Sequence, residues 1–130
     1  MAGFSDYLED KVLDNVFGGN AYTAPGTHYV ALYTVAPTDT GGGTEVSGGS
    51  YARQTSTFNV SGTDPTTATN AAAVEYPTAT ADYGTVVAVG IMDALTSGNL
   101  LAYANLTASK TVSSGDVFRF DAGDLDITLA

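Results

Sequence analysis

The sequence predicts a mainly β protein, an antiparallel β-sandwich or jelly-roll-like single domain with one N-terminal helix. Three observations carry that expectation. Seven or eight short apolar or alternating runs are separated by turns of Gly, Pro, Ser and Asp, as in an all-β domain. One of them, Val86 to Met92 (VVAVGIM), is apolar throughout and rich in β-branched residues, the pattern of a strand buried on both faces. Only Phe4 to Phe17 repeats its apolar residues at spacings of three and four. A chain of 130 residues suits one domain, here read as a helical arm over 1–19 and a sandwich over 20–130.

In the helix, Phe4, Tyr7, Leu8, Val12 and Val16 form the stripe, and Leu13 and Phe17 widen it. Ser5 is placed to cap it, Asp6 and Glu9 face the positive end of its dipole, and Gly18-Gly19 stops it. Its apolar face packs on the chain's own sheet or on a neighbouring subunit. The first strand, Tyr29 to Val35, ends at Ala36-Pro37, since proline lacks a ladder N–H. Its alternation sets Tyr29 and Tyr33 opposite His28, Val30 and Leu32. The segment from Pro37 to Gly49 reads as a long mobile loop, because Gly41 to Gly43 and Gly48-Gly49 permit tight reversals; loops of this length are commonly binding surfaces.

Tyr51 to Val60 alternates loosely and fits a half-exposed strand. Ser61 to Asn70, built around Asp64-Pro65, reads as a loop. Ala71 to Tyr76 is a short strand of small residues ended by Pro77, and Thr78 to Tyr83 is a loop. Val86 to Met92 forms the centre of the sheet, where Gly90 marks a bulge or a close approach. Asp93 to Asn99 turns the chain into the strand Leu100 to Leu106. Lys110 to Val112 is a brief strand of its own, Ser113 to Gly115 turns, and Val117 to Phe120 is another strand. The end is one-face-buried, with Leu125, Ile127 and Leu129 alternating against Asp124, Asp126 and Thr128.

Charged residues make up 14%, against roughly 25% in typical globular proteins, so hydroxyl-bearing and small side chains dominate the surface. Such a surface loses little rotamer entropy on association and suits assembly; the same composition equally fits a β protein that uses Thr for its strand propensity. A net charge of −10 with four basic residues excludes a nucleic-acid binder, which needs Lys and Arg clusters. Without cysteine there is neither a disulfide framework nor thiolate chemistry. No signal-peptide pattern and no apolar stretch near membrane-spanning length is read, so a protein made in the cytoplasm, with no membrane partner, is expected.

Catalysis is poorly served. His28 is the sole histidine, no GxSxG elbow accompanies it, and one His without Cys cannot supply a zinc site. Asp121, Asp124 and Asp126 are the nearest approach to a calcium set but lack the EF-hand pattern, and Asp39 and Glu45 flank the glycines Gly41 to Gly43. The glycine loop lacks the Gly-Lys-Ser/Thr of a P-loop, and the sequons at Asn59 and Asn105 have no secretory context. No enzyme activity, cofactor or bound metal is expected.

The blocks GFSDYLEDKVLDNVFGG, ALYTVAPTDTGGGTEVSGGSYARQ and GIMDALTSGNLLAYANL resemble a family of small tailed-bacteriophage virion proteins often labelled tail-fibre proteins, and in size and acidity the chain is similar to capsid cement (decoration) proteins. The resemblance implies a virion structural protein. The leading expectation is a capsid decoration protein on the outer surface of the shell, binding the major capsid protein and itself as a homotrimer; the alternative is a tail or tail-fibre-associated structural or adhesion protein. Tyrosine supplies rigid contact area at interfaces, although the same residues fit the chain's own core nearly as well. The interface candidates are therefore Phe4, Tyr7 and Leu8 on the helix; Tyr22, Tyr33 and Tyr51; and Pro37, Thr38, Asp39, Thr44 and Glu45 along the loop.

Overall fold

The computed structural model describes residues 3–129, with the side chain of Leu129 outside the described set. It is mainly β with one helix, and all its strand pairs are antiparallel. The elements are β1 (Gly3–Phe4), α1 (Asp6–Val16), β2 (His28–Val35), β3 (Thr44–Glu45), β4 (Gln54–Ser56), β5 (Phe58–Ser61), β6 (Thr66–Asn70), β7 (Val74–Glu75), β8 (Gly84–Met92), β9 (Leu100–Val112), β10 (Arg119–Phe120) and β11 (Asp126–Leu129). The main sheet runs β1-β9-β8-β2-β3, with β4 also on β2; β11-β6-β5 and β10-β7 form two smaller sheets.

As the apolar run VVAVGIM predicts, β8 lies at the centre, paired with β2 on one side and β9 on the other. Registers Val30↔Ile91 and Leu32↔Val89 put these four side chains on one face, where they meet Val74, Tyr76, Phe118, Phe120 and Leu125 in the principal core. The Tyr76 hydroxyl, buried in that core, donates to the Val30 carbonyl at 2.7 Å, so no polar atom is stranded there. On the opposite face Ala31, Tyr33, Ala88, Met92 and Leu100 form a second, smaller cluster. Gly90 sits beneath it: an added Cβ would meet Tyr33 Cε1 at 2.8 Å and Leu100 Cδ1 at 2.9 Å. The close approach expected at Gly90 is thus made by an aromatic ring lying on the backbone.

Several boundaries differ from the sequence reading, each for a local reason. The segment 61–70 is not all loop, because the β-branched run Thr66–Asn70 pairs with β5 on one side and β11 on the other. Tyr51 to Val60 is not one strand: it breaks at Thr57, β4 staying on β2 while β5 crosses to the three-stranded sheet. Lys110 to Val112 is the end of a continuous β9, whose register shift sets Leu106–Ser109 opposite Val87 alone. Only Val74–Glu75 of the segment 71–76 and Arg119–Phe120 of 117–120 pair as strand. Phe4 lies in β1, before the helix. At the end of the chain Leu125 is buried and Ile127 packs on the core as expected; the inward placement expected of Leu129 lies outside the described side chains.

Candidate interface surfaces

Ser5 begins the helix as the sequence implies: its side chain accepts from the Leu8 N–H at 3.2 Å. It also ties the helix to the sheet, its N–H donating to Leu101 O at 2.8 Å and its hydroxyl to Leu100 O. The Asp6 N–H donates to Asp39 O at 2.8 Å, fastening the first turn to the loop after β2. Beyond this anchored start α1 loosens from the body. Tyr7 and Leu8 are half-buried against the principal core, whereas Leu13 is 59%, Val16 63% and Phe17 81% exposed. At ~3.6 residues per turn, Leu13 and Phe17 lie roughly 140° to 180° round the helix from Leu8. The wide stripe read from the sequence is therefore two faces, one inward and one outward.

Between α1 and the three-stranded sheet runs an apolar cleft of about 390 Å³, floored by Ile91 and Leu101 and flanked by Phe4, Leu8, Phe58 and Ile127. Phe4 also lines an adjoining cleft of about 330 Å³ with Glu9, Val12, Leu13 and Thr128, which carries this apolar surface along the outer part of the helix.

The segment 37–49 is hydrogen-bonded, not open. Thr38 and Gly41 exchange backbone hydrogen bonds, both 2.8 Å, and β3 pairs with β2. Gly43 needs its positive φ of 73°, and a Cβ there would stand 2.6 Å from Val35 O. Glu45 takes a two-pronged ion pair from the buried Arg53, both contacts 2.8 Å, and the remaining Arg53 nitrogen donates to Ala94 O at 2.8 Å and Ser97 O at 2.7 Å. Tyr51 donates to Glu45 at 2.6 Å and accepts from the Leu32 N–H at 3.0 Å. Burial pushes the Glu45 carboxyl up, but the hydrogen bonds from Arg53 and Tyr51 and the Arg53 charge outweigh it and hold the group below its ordinary range. Burial and then the bond to Glu45 push the Tyr51 hydroxyl up, so it stays protonated.

These contacts sort the candidates. Tyr33 and Pro37 are buried, Glu45 and Tyr51 belong to the internal network, and Phe4, Tyr7, Leu8 and Tyr22 are half-buried. Thr38, Asp39 and Thr44 are exposed, with the Asp39 carboxylate accepting from Tyr103. The structure brings Tyr33 and Asp39 together with Tyr7 and Asn99 around a cleft of about 500 Å³ on the outer side of the main sheet. The other carboxylates weighed for metal binding are divided among separate uses: Asp121 pairs with Arg119 at 2.8 Å, Asp124 accepts from the Asp121 N–H, and Asp126 accepts from Thr69. The His28 ring packs edge-on against Phe58, centroids 5.9 Å apart.

Sequence reasoning missed Arg53, one of the four basic residues, and Asn70. Buried Asn70 donates to Ala72 O and Asp121 O and accepts from the Gly123 and Leu125 N–H groups, all within 2.9–3.0 Å, fastening the turn before β11. Neither has a local sequence signal, since apart from Ala72 and Glu45 every partner is more than 40 positions away in the chain.

A family model described as Podophage GP4 fiber I protein gp80 matches residues 3–128. The chain belongs to that family. Membership over nearly the whole chain makes it a phage structural protein, as the sequence blocks implied. Of the two roles drawn from that resemblance, the match favours the fibre alternative over capsid decoration. No curated protein matches the chain.

Proposed function

We propose that this chain is a structural subunit of a podophage fibre, working through the contacts of its surface and not through catalysis. The observation that carries the proposal is the fibre-family match over residues 3–128. The disposition of polar groups supports it: the lone histidine packs on Phe58, and the most buried ion pair ties β3 to the strand-to-strand turn before β9. Its partners on this reading are other fibre subunits, in place of the major capsid protein, and its location in the virion is the fibre. Immunogold labelling of intact particles tests it. Gold on the fibres is the expected result; gold spread over the head overturns the proposal and restores capsid decoration.

A further inference from the structure

We propose that the outer face of α1, made by Leu13, Val16 and Phe17, docks into an apolar pocket rimmed by lysine or arginine side chains on a different subunit of the fibre. This rests on the fibre reading above and names the chemistry of the partner. The three side chains are one helix-surface neighbourhood, at i, i+3 and i+4, and are the most exposed apolar residues of the helix. They adjoin the cleft of Phe4, Val12 and Leu13, so the apolar surface is contiguous and not a scatter of single residues. None of the three is needed to hold the helix down, because Ser5, Tyr7 and Leu8 already do that from the first turns.

Charge selects the occupant. The helix carries Asp6, Glu9, Asp10 and Asp14 against Lys11, with Glu9 and Asp10 beside the apolar patch. A complementary surface therefore needs cations around an apolar centre. A second copy of this chain does not offer them. Of its four basic residues, Arg53 is held by Glu45 and Arg119 by Glu75 and Asp121, while Lys11 lies over its own Tyr7 ring, 5.6 Å from the centroid. Neither lysine has an ion-pair partner among the described residues, but Lys11 stands on the acidic helix itself and Lys110 is a single cation on β9, and each copy carries a net charge of −10. A membrane surface fits no better, since anionic lipid repels the same carboxylates.

The test uses particles from a phage whose copy of this gene is interrupted, to which purified chain is added back. Wild-type chain is expected to rebind at the fibres. The double variant Leu13→Ser, Phe17→Ser should bind at least tenfold more weakly. Asp10→Lys should also weaken binding and reduce its salt dependence between 50 and 500 mM salt, which loss of apolar contact alone does not do. The melting curve of each variant should match wild type, as these side chains are exposed; if the double variant melts early, Asp10→Lys alone decides. Variants that rebind the fibre site like wild type overturn the docking face and leave the fibre reading standing. Wild-type chain that binds heads, or fails to rebind, overturns the fibre reading and the docking face with it. A dimer in sedimentation that Phe17→Ser abolishes assigns the face to a second copy, and flotation with phosphatidylcholine and phosphatidylserine vesicles assigns it to lipid; either result overturns the proposal.

Discussion

Replacing Arg53 with Met keeps an unbranched apolar stem as far as the ε position and removes the guanidinium with its charge, so the loss falls mainly on the polar network. The guanidinium makes two hydrogen bonds to Glu45 and two to the carbonyls of Ala94 and Ser97, with its side chain 8% exposed. Charged hydrogen bonds contribute about 1.5–3 kcal/mol each. They do not sum, however, because Glu45 retains 25% of its side-chain exposure and water can replace part of what it loses. Breaking a buried pair costs about 3–5 kcal/mol, and partial rehydration places this one near the lower end, about 3 kcal/mol. With an unfolding entropy of ~2.1 cal/mol/K per residue, that is a fall in Tm of roughly 11 °C for a chain of this size. Thermal and urea denaturation of Arg53→Met at pH 7 measure it. The double variant Glu45→Gln, Arg53→Met should lose less than the sum of the two single variants, since it leaves no uncompensated carboxylate. A loss below about 1 kcal/mol, or strict additivity, would refute the view that this ion pair fixes the segment 37–49.

Tyr51→Phe removes the hydroxyl that serves both Glu45 and the Leu32 N–H, and should destabilise by about 1–3 kcal/mol in urea denaturation, chiefly by orphaning that N–H. Because the Glu45 pKa is depressed on folding, its stabilisation is fully present above its unfolded value near 4.5 and is lost as pH falls through the folded value. The stability gap between wild type and Glu45→Gln, followed from pH 7 into acid, should therefore be constant at first and close below that value. Gly90→Ala forces Tyr33 and Leu100 aside and should cost about 1–3 kcal/mol by overpacking; a Tyr33→Leu background should relieve it, readable in the same denaturation curves.

What could be read from the sequence depended on range. VVAVGIM announced a central strand because a parallel or doubly covered environment leaves an unbroken apolar run, and Ser5, Gly18 and Gly19 announced the helix ends because caps act within one turn. Gly90 announced a close approach without revealing that the approaching group was Tyr33, 57 positions away in chain order. The roles of Arg53 and Asn70 were illegible for the same reason: a guanidinium that reaches Glu45 and Ala94, or an amide that reaches Asp121 and Leu125, is specified by topology and not by neighbours. The tyrosine-and-loop candidates were the hardest to place from sequence. An aromatic residue next to a glycine-rich segment looks the same whether it faces a partner or, like Tyr51 and Tyr33, completes the chain's own interior.

The helix shows how an excess of apolar residues can itself be informative. A helix lying on one sheet needs an apolar stripe of only ~100°. Tyr7, Leu8, Val12, Leu13, Val16 and Phe17 spread over much more than that, so a single layer cannot cover all of them. The structure resolves the excess by half-burying the N-terminal members and leaving the C-terminal ones outside. A matched pair of substitutions separates the two faces. Leu8→Ala and Leu13→Ala change the same residue type on the same helix, so their propensity costs are nearly equal and cancel in the comparison. Leu8, half-buried on the core, should lose about 1–2 kcal/mol by the area it withdraws from contact. Leu13, 59% exposed, should lose less than ~0.5 kcal/mol in the isolated chain. Equal losses in urea denaturation would mean that both leucines face the body of the protein, and the outward face of the helix would have to be withdrawn.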